Sequence, residues 1–231
     1  MLLVIANSHM PKKTPRATSF TVTDFDSVLG VSLRGLYTVT RFNLSSGYLN
    51  DSRFVSLRLM EIPMSEVPVW FERRFEFSFP VELMPNLLAR LRGTPARLEE
   101  VLLGCEREIL IAKPEGKWSA QEHAGHLVDL EPLWLARVED YVAGSSELTA
   151  ADLRNRKTDD ANHNARVLGK ILREFRTARW QLLARVEELD ASLFARTIPH
   201  PRLKTPMRLV DHLFFVAEHD DHHLARIDEL I

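Results

Sequence analysis

From Thr94 to the C-terminus, apolar residues recur every three or four positions in four long runs, and residues that start or stop helices bound each run. Thr94-Pro95-Ala96 opens the first, with threonine as the cap and proline at the first helical position. Leu98, Val101, Leu102, Cys105 and Ile109 follow, and Lys113-Pro114-Glu115-Gly116 ends it. Ser119-Ala120-Gln121-Glu122 is a capping box that opens the second run. Its apolar positions are Ala120, Ala124, Leu127, Leu130, Trp134, Val138 and Tyr141, and it should reach about Val142 and stop at Gly144. Pro132 lies inside it and should bend it or loosen one backbone hydrogen bond. The third run spans about Ala161 to Leu189, with Val167, Ile171, Phe175 and Leu182 inward and Arg166, Lys170 and Arg173 on another face. The last begins at Thr205-Pro206 and continues to the C-terminus. Four long helices with connections of moderate length, one over 145–161 and one over 190–204, predict an all-α four-helix bundle.

Ahead of the bundle, Pro80 to Leu91 reads as a short additional helix that Gly93 breaks, and the aromatic-rich Phe71 to Phe79 as a lead-in packed on the bundle. The bundle domain is therefore set at 67–231, with 1–66 as an N-terminal extension. Within that extension Asn7 to Thr23 is polar and proline-bearing and reads as disordered. Leu36 to Leu44 and Phe54 to Ile62 could be two strands of a small β extension or part of a tail without fixed structure. A start at Met60 or Met64 is a third alternative.

Composition excludes more than it assigns. A formal net charge of −2 argues against a general nucleic-acid binder. No apolar run approaches the roughly 20 residues that span a bilayer, and Met1 to Ala6 makes a poor signal peptide. With Cys105 as the single cysteine, no internal disulfide can form, which fits the cytoplasm. The expected partner is a small molecule, with neither nucleic acid nor membrane.

Three of the nine histidines fall within Glu218-His219-Asp220-Asp221-His222-His223. His219 and His223 are four apart, so on a helix they sit one turn above each other and can share a metal ion, whereas His222 points away. A further ligand must come from another helix, and His123 and His126 are the candidates. A helical wheel places His123 nearer the apolar centre, while Leu130 and Leu133 widen that face toward His126, so spacing alone leaves the choice open. Glu131 projects inward as a ligand or a base, and Asp220 falls on an apolar face, where a carboxylate needs a metal-bound histidine, an arginine or an oligomer contact.

Trp118-Ser119-x-x-Glu122-His123-x-x-His126-Leu127-x-Asp129, followed far downstream by Glu218-His219-Asp220-Asp221-His222-His223-Leu224-x-x-Ile227, resembles the DinB-like superfamily of metal-binding four-helix bundles over about residues 67–231. The resemblance implies that His126, His219 and His223 bind a divalent metal and leave positions open for water or substrate. Zn2+ suits three imidazoles, and Ni2+ and Fe2+ also do. The family includes bacillithiol- and mycothiol-dependent S-transferases and a maleylpyruvate isomerase branch, and its bundles are often dimers, so a homodimer is expected by analogy. Thiol S-transfer is then the leading chemistry, with an external low-molecular-weight thiol, because neither motif contains cysteine. A metal-dependent hydrolase and a non-catalytic metal-binding stress-response module are the alternatives, and a plain helical interaction protein without metal is the reading furthest from these motifs. Trp118 and Trp134 are expected in the core more than in a pocket, and His163, Arg154 and Arg156 at the surface more than on an anionic substrate.

Overall fold

Periodicity and caps place the long helices, and packing decides where each one ends. In the computed structural model, which describes residues 66–231, six helices occur: α1 (Met84–Leu102), α2 (Arg107–Leu110), α3 (Ala120–Ala143), α4 (Arg156–Asp160), α5 (Leu168–Glu187) and α6 (Leu209–Asp228). A two-stranded antiparallel ribbon, β1 (Thr197–Pro199) with β2 (Pro206–Arg208), precedes α6, in the register Thr197–Arg208, Ile198–Met207, Pro199–Pro206. The extension proposed for residues 1–66, with its hairpin, its unstructured alternative and the later starts, falls outside the described residues except for Glu66. Among the described residues no helix is long and apolar enough to cross a membrane.

The long helices α1, α3, α5 and α6 form the four-helix bundle. Both α1 and α3 pack on α5 and α6, so the two sit across the bundle from each other. The lead-in packs as expected, with Phe75, Phe77 and Phe79 against the core and Phe79 stacked 5.4 Å from Phe214.

The second run behaves as its signals require. Ser119 accepts from the Glu122 backbone N–H at 3.1 Å, Glu122 accepts from the Ser119 N–H at 2.9 Å, and Gly144 closes the helix in the left-handed region at φ 68°. The first run differs. The short helix expected over Pro80–Leu91 and the one expected from Thr94 are continuous, passing through Gly93 and Pro95. The buried stripe Leu87, Leu91, Thr94, Leu98, Leu102 keeps one phase across that junction, so burial holds the helix together. Pro95 cannot donate to the Leu91 carbonyl, and Arg179 from α5 donates Nη1 to that oxygen at 3.3 Å instead. The chain turns later, at Leu103–Glu106, where Gly104 adopts φ 86°.

Two further boundaries move. The third long helix starts at Leu168, because α4 and a 3-10 turn at His163–Ala165 occupy the stretch before it; Val167 is 72 % exposed, not inward. Thr205-Pro206 leads into β2 instead of capping the last helix. Proline is tolerated at the end of so short a ribbon, Met207 is buried there, and its carbonyl accepts from the Tyr141 hydroxyl at 2.8 Å. The cap is one turn on, where Asp211 accepts from the Arg208 N–H at 3.3 Å and from its guanidinium at 2.6 Å.

The core is two apolar clusters with a charged layer between them. Leu87, Leu91, Trp134, Val138, Leu182, Val186 and Leu213 belong to one cluster, and Leu98, Leu102, Leu127, Ile171, Phe175 and Ile227 to the other. Between them Arg179 reaches Glu131 of α3 through Nη2 at 2.5 Å and Asp220 of α6 through Nη1 at 2.5 Å, and all three are at most 2 % exposed. Asp220 thus takes the arginine among its three possible partners, and Glu131 acts as a partner to that guanidinium rather than as a metal ligand. Two carboxylates share one cation, so one must be held high: burial, and then the Asp220 charge, push Glu131 up to about 7 against the pull of Arg179.

Candidate metal centre

The capping box fixes where α3 begins, so His123 and His126 fall on its first two turns, facing the middle of α6. The structure brings His126, His219 and His223 together, with one possible donor atom from each lying within 4.8 Å of the others, all buried. His223 Nε2 is 3.1 Å from His219 Nε2. Two nitrogens bound to one ion at about 2.0–2.1 Å stand about 2.9 Å apart in octahedral and about 3.3 Å apart in tetrahedral coordination, so the observed gap suits a shared ion.

Two of the three remaining ring nitrogens have hydrogen-bond partners. His126 Nδ1 lies 3.0 Å from Thr158 Oγ1 of α4, and His223 Nδ1 lies 2.8 Å from His123 Nδ1. A proton on Nδ1 of His126 and of His223 leaves both Nε2 lone pairs free to bind an ion. His219 Nδ1 is buried without a partner. Burial, followed by the charge of His123, lowers His126 to about 3, and burial and the neighbouring imidazoles hold His219 and His223 well below their ordinary value. The three rings are therefore neutral at physiological pH, as metal ligands must be.

His123, the alternative ligand, sits beside the group as the hydrogen-bond partner of His223. His222 lies outside it, 5.5 Å from the Trp70 ring. His163 is not at the surface: it is 1 % exposed, its Nε2 is 2.8 Å from Asp129 Oδ2, and its ring packs so closely on Gly125 that a Cβ there would fall 2.2 Å from it. Against burial, His163 and then Thr158 hold Asp129 below its ordinary value. Arg156 is exposed and paired with Asp152, so it does not serve the site.

A cavity of about 720 Å³ opens on the three histidines. Both tryptophans line it: Trp134, although 3 % exposed, has its ring 5.5 Å from His219, and Trp118 has its ring 4.7 Å from His126 while its Nε1 donates to Asp159 at 2.9 Å. The opposite wall comes from the lead-in, where the Trp70 ring meets His219 edge-on at 5.0 Å. Cys105 does not line the cavity.

Sequence reasoning missed Thr158, Arg137 and His200. Nothing in spacing marks a threonine in a connection as a partner for a histidine 32 positions away. Replacing Thr158 by valine removes the oxygen that orients His126 and keeps the shape. The expected result is a fall of about 10–100-fold in metal affinity with an unchanged far-ultraviolet spectrum, read by competition with a chromophoric chelator. Equal affinity in the variant would remove Thr158 from the site.

A model of the DinB superfamily matches residues 90–227. Among solved structures, the chain is similar to YfiT from Bacillus subtilis, described as "a probable metal-dependent hydrolase with an unusual four-helix bundle topology", at 20 % identity and a TM-score of 0.61 over 69 % of this chain and 91 % of that one. It is also similar to a mycothiol-dependent maleylpyruvate isomerase, at 11 % identity and a TM-score of 0.52 over 65 % of this chain and 62 % of that one. No curated protein sequence matches the chain.

Proposed function

The chain belongs to the DinB superfamily, and from that premise we propose that it is a divalent-metal-dependent enzyme acting on a small molecule, with His126, His219 and His223 as the metal ligands. The observation that carries this reading is the location of three buried, neutral imidazoles on the wall of a cavity of about 720 Å³, large enough for a substrate and for a second reactant beside it. A purely structural site would be closed by a fourth protein ligand, and among the described residues no carboxylate or thiol completes the group.

When bound, a divalent ion supplies Lewis acidity and lowers the pKa of a water or thiol at an open position. Thr158 and His123 hold the rings of His126 and His223 in place, and Trp118, Trp134 and Trp70 shield the site from bulk water. Thiol S-transfer is the leading chemistry, and because no cysteine lines the cavity the thiol would have to be an external low-molecular-weight one. Hydrolysis is the second reading, favoured by the likeness to YfiT. Zn2+ is the first choice of ion, with Ni2+ and Fe2+ as alternatives.

The test is to load the full chain with each metal in turn and offer it electrophiles and esters, with and without added thiols. Turnover that needs both metal and thiol is the expected result, turnover with metal and water alone selects hydrolysis, and a metal-loaded protein inert to both would remove the enzymatic reading.

A further inference from the structure

On the cavity wall beyond Trp134, two buried side chains face each other with no acceptor between the facing nitrogens. Arg137 of α3 is 2 % exposed, and so is His200, in the turn between β1 and β2. Arg137 Nε donates to the Thr149 carbonyl at 2.8 Å, and Nη1 lies 3.2 Å from His200 Nε2. His200 Nδ1 accepts from the Arg202 and Leu203 N–H groups, each at 3.2 Å, so this nitrogen carries no proton. The ring proton of His200 is therefore on Nε2, pointing at a guanidinium that can only donate. Burial, and then Arg137 itself, lower His200 to about 3, which keeps the ring neutral in that arrangement.

No carboxylate pairs directly with this guanidinium, and Asp140 acts on it only through its charge, without an ion pair. Among the described residues Arg137 makes no ion pair. Asp140 accepts from Ser145 Oγ and the Thr149 N–H, Asp211 is paired with Arg208, and Asp152, on the cavity wall, accepts from Arg154 and Arg156. The contrast with Arg179, equally buried but held by two carboxylates, is direct. Burial lowers Arg137 to about 10, whereas Arg179 is raised. Two more donors on the same wall are buried without partners, Trp134 Nε1 and Arg202 Nη2. The Trp134 ring spans the distance, 5.5 Å from the His219 ring on one side and 5.5 Å from the Arg137 guanidinium on the other. Buried donors are almost always satisfied, and a cluster of them around an uncompensated cation is a site for an anion.

We propose that the Arg137–His200 end of the cavity is a carboxylate-binding subsite, and that the substrate is a small organic acid whose carboxylate docks there while its reacting group faces His126, His219 and His223. This rests on the metal-dependent reading above for the second half of the statement only. Arg137 is the one fully buried cation there and Arg202 is only half-buried, so a carboxylate, which pairs with one guanidinium through two oxygens, is the anion assigned, with a phosphate dianion as the competing outcome of the test.

The test uses benzoate, its neutral counterpart benzamide, and phenyl phosphate as probes on the full chain, by isothermal titration. The metal-loaded wild type should bind benzoate at least tenfold tighter than benzamide. Arg137→Met should lose that preference by tenfold or more while keeping its metal content, and His126→Ala should keep the preference without metal. Carboxylate binding that survives Arg137→Met and disappears in His126→Ala would put the carboxylate on the ion and overturn the subsite, and tighter binding of phenyl phosphate than of benzoate would overturn its assignment to a carboxylate. Should Arg137→Met not fold, the melting temperature of metal-free wild type decides: a rise with benzoate and not with benzamide supports the subsite, and equal responses overturn it. A wild type that takes up no metal yet prefers benzoate would defeat the enzymatic reading and leave the subsite standing.

Discussion

Replacing His219 by alanine is expected to abolish stoichiometric metal binding, with affinity down by at least about a hundredfold. His219 and His223 come from one helix and His126 from another, so loss of His219 leaves two ligands on different helices and no i,i+4 pair. The paired variant His123→Ala should behave differently. His123 touches His223 through Nδ1 and is not among the three grouped ligands, so its loss should weaken metal binding and keep about one ion per chain. Metal content by mass spectrometry on the two purified variants separates these cases. Full metal content in His219→Ala, or none in His123→Ala, would mean that the ligand set is wrong. Neither substitution should unfold the bundle, because its two apolar clusters and the Arg179 layer do not depend on an ion.

Arg179→Ala is expected to be the most destabilising single change in the fold. It leaves Glu131 and Asp220 facing each other at full burial with no cation, and breaking a buried pair in this way costs about 3–5 kcal/mol. It also strips the donor from the Leu91 carbonyl that Pro95 cannot serve. Set against a typical domain stability of about 5–15 kcal/mol, the loss should move the urea midpoint far down, or leave the variant unfolded. A second protein decides the cause: Arg179→Met combined with Glu131→Leu and Asp220→Leu removes charge and partners together, and should regain most of the loss. If the triple variant is no more stable than Arg179→Ala, burial of unpaired charge is not what makes Arg179 matter.

The bundle was legible because its helices carry signals that act locally. Ser119 and Glu122 satisfy each other within one turn, and Gly144 supplies a positive φ, so both ends of α3 could be placed from eight or so letters. Thr94-Pro95 and Thr205-Pro206 carry the same local signal, yet neither begins a helix. In the first, an unbroken buried stripe and a guanidinium from another helix let the chain run through proline. In the second, pairing with Thr197–Pro199 takes the segment into a ribbon. Both outcomes depend on residues far away in sequence. The same limit governs the site. His123 and His126 are both buried, at 7 % and 3 % exposure, so a wheel that ranks burial has little to separate them. What distinguishes them is the second ring nitrogen, which meets Thr158 in one case and His223 in the other. The motif resemblance, not the wheel, pointed to His126. Arg137 and Arg179 read alike in sequence as charged positions on helices, and only the fold shows that Arg179 is paired with two carboxylates while Arg137 has no ion pair among the described residues.

The cavity is built from two stretches of the chain. Its histidines, Trp118, Trp134 and Arg137 all lie within the stretch that the superfamily model matches, while Val67, Val69, Trp70 and Phe71 on the opposing wall precede residue 90. That wall is a near-extended strip whose only regular structure is a three-residue turn at Trp70–Glu72, tied to the bundle by Arg73 on Glu218 and by Val67 on Glu229. Most of the strip forms no helix cap and sets no helix register, and its one close approach to the histidine group is Trp70 on His219. The floor of the cavity, with its histidines and the Arg137–His200 end, therefore lies wholly on the matched stretch, and only one wall is supplied by residues ahead of it.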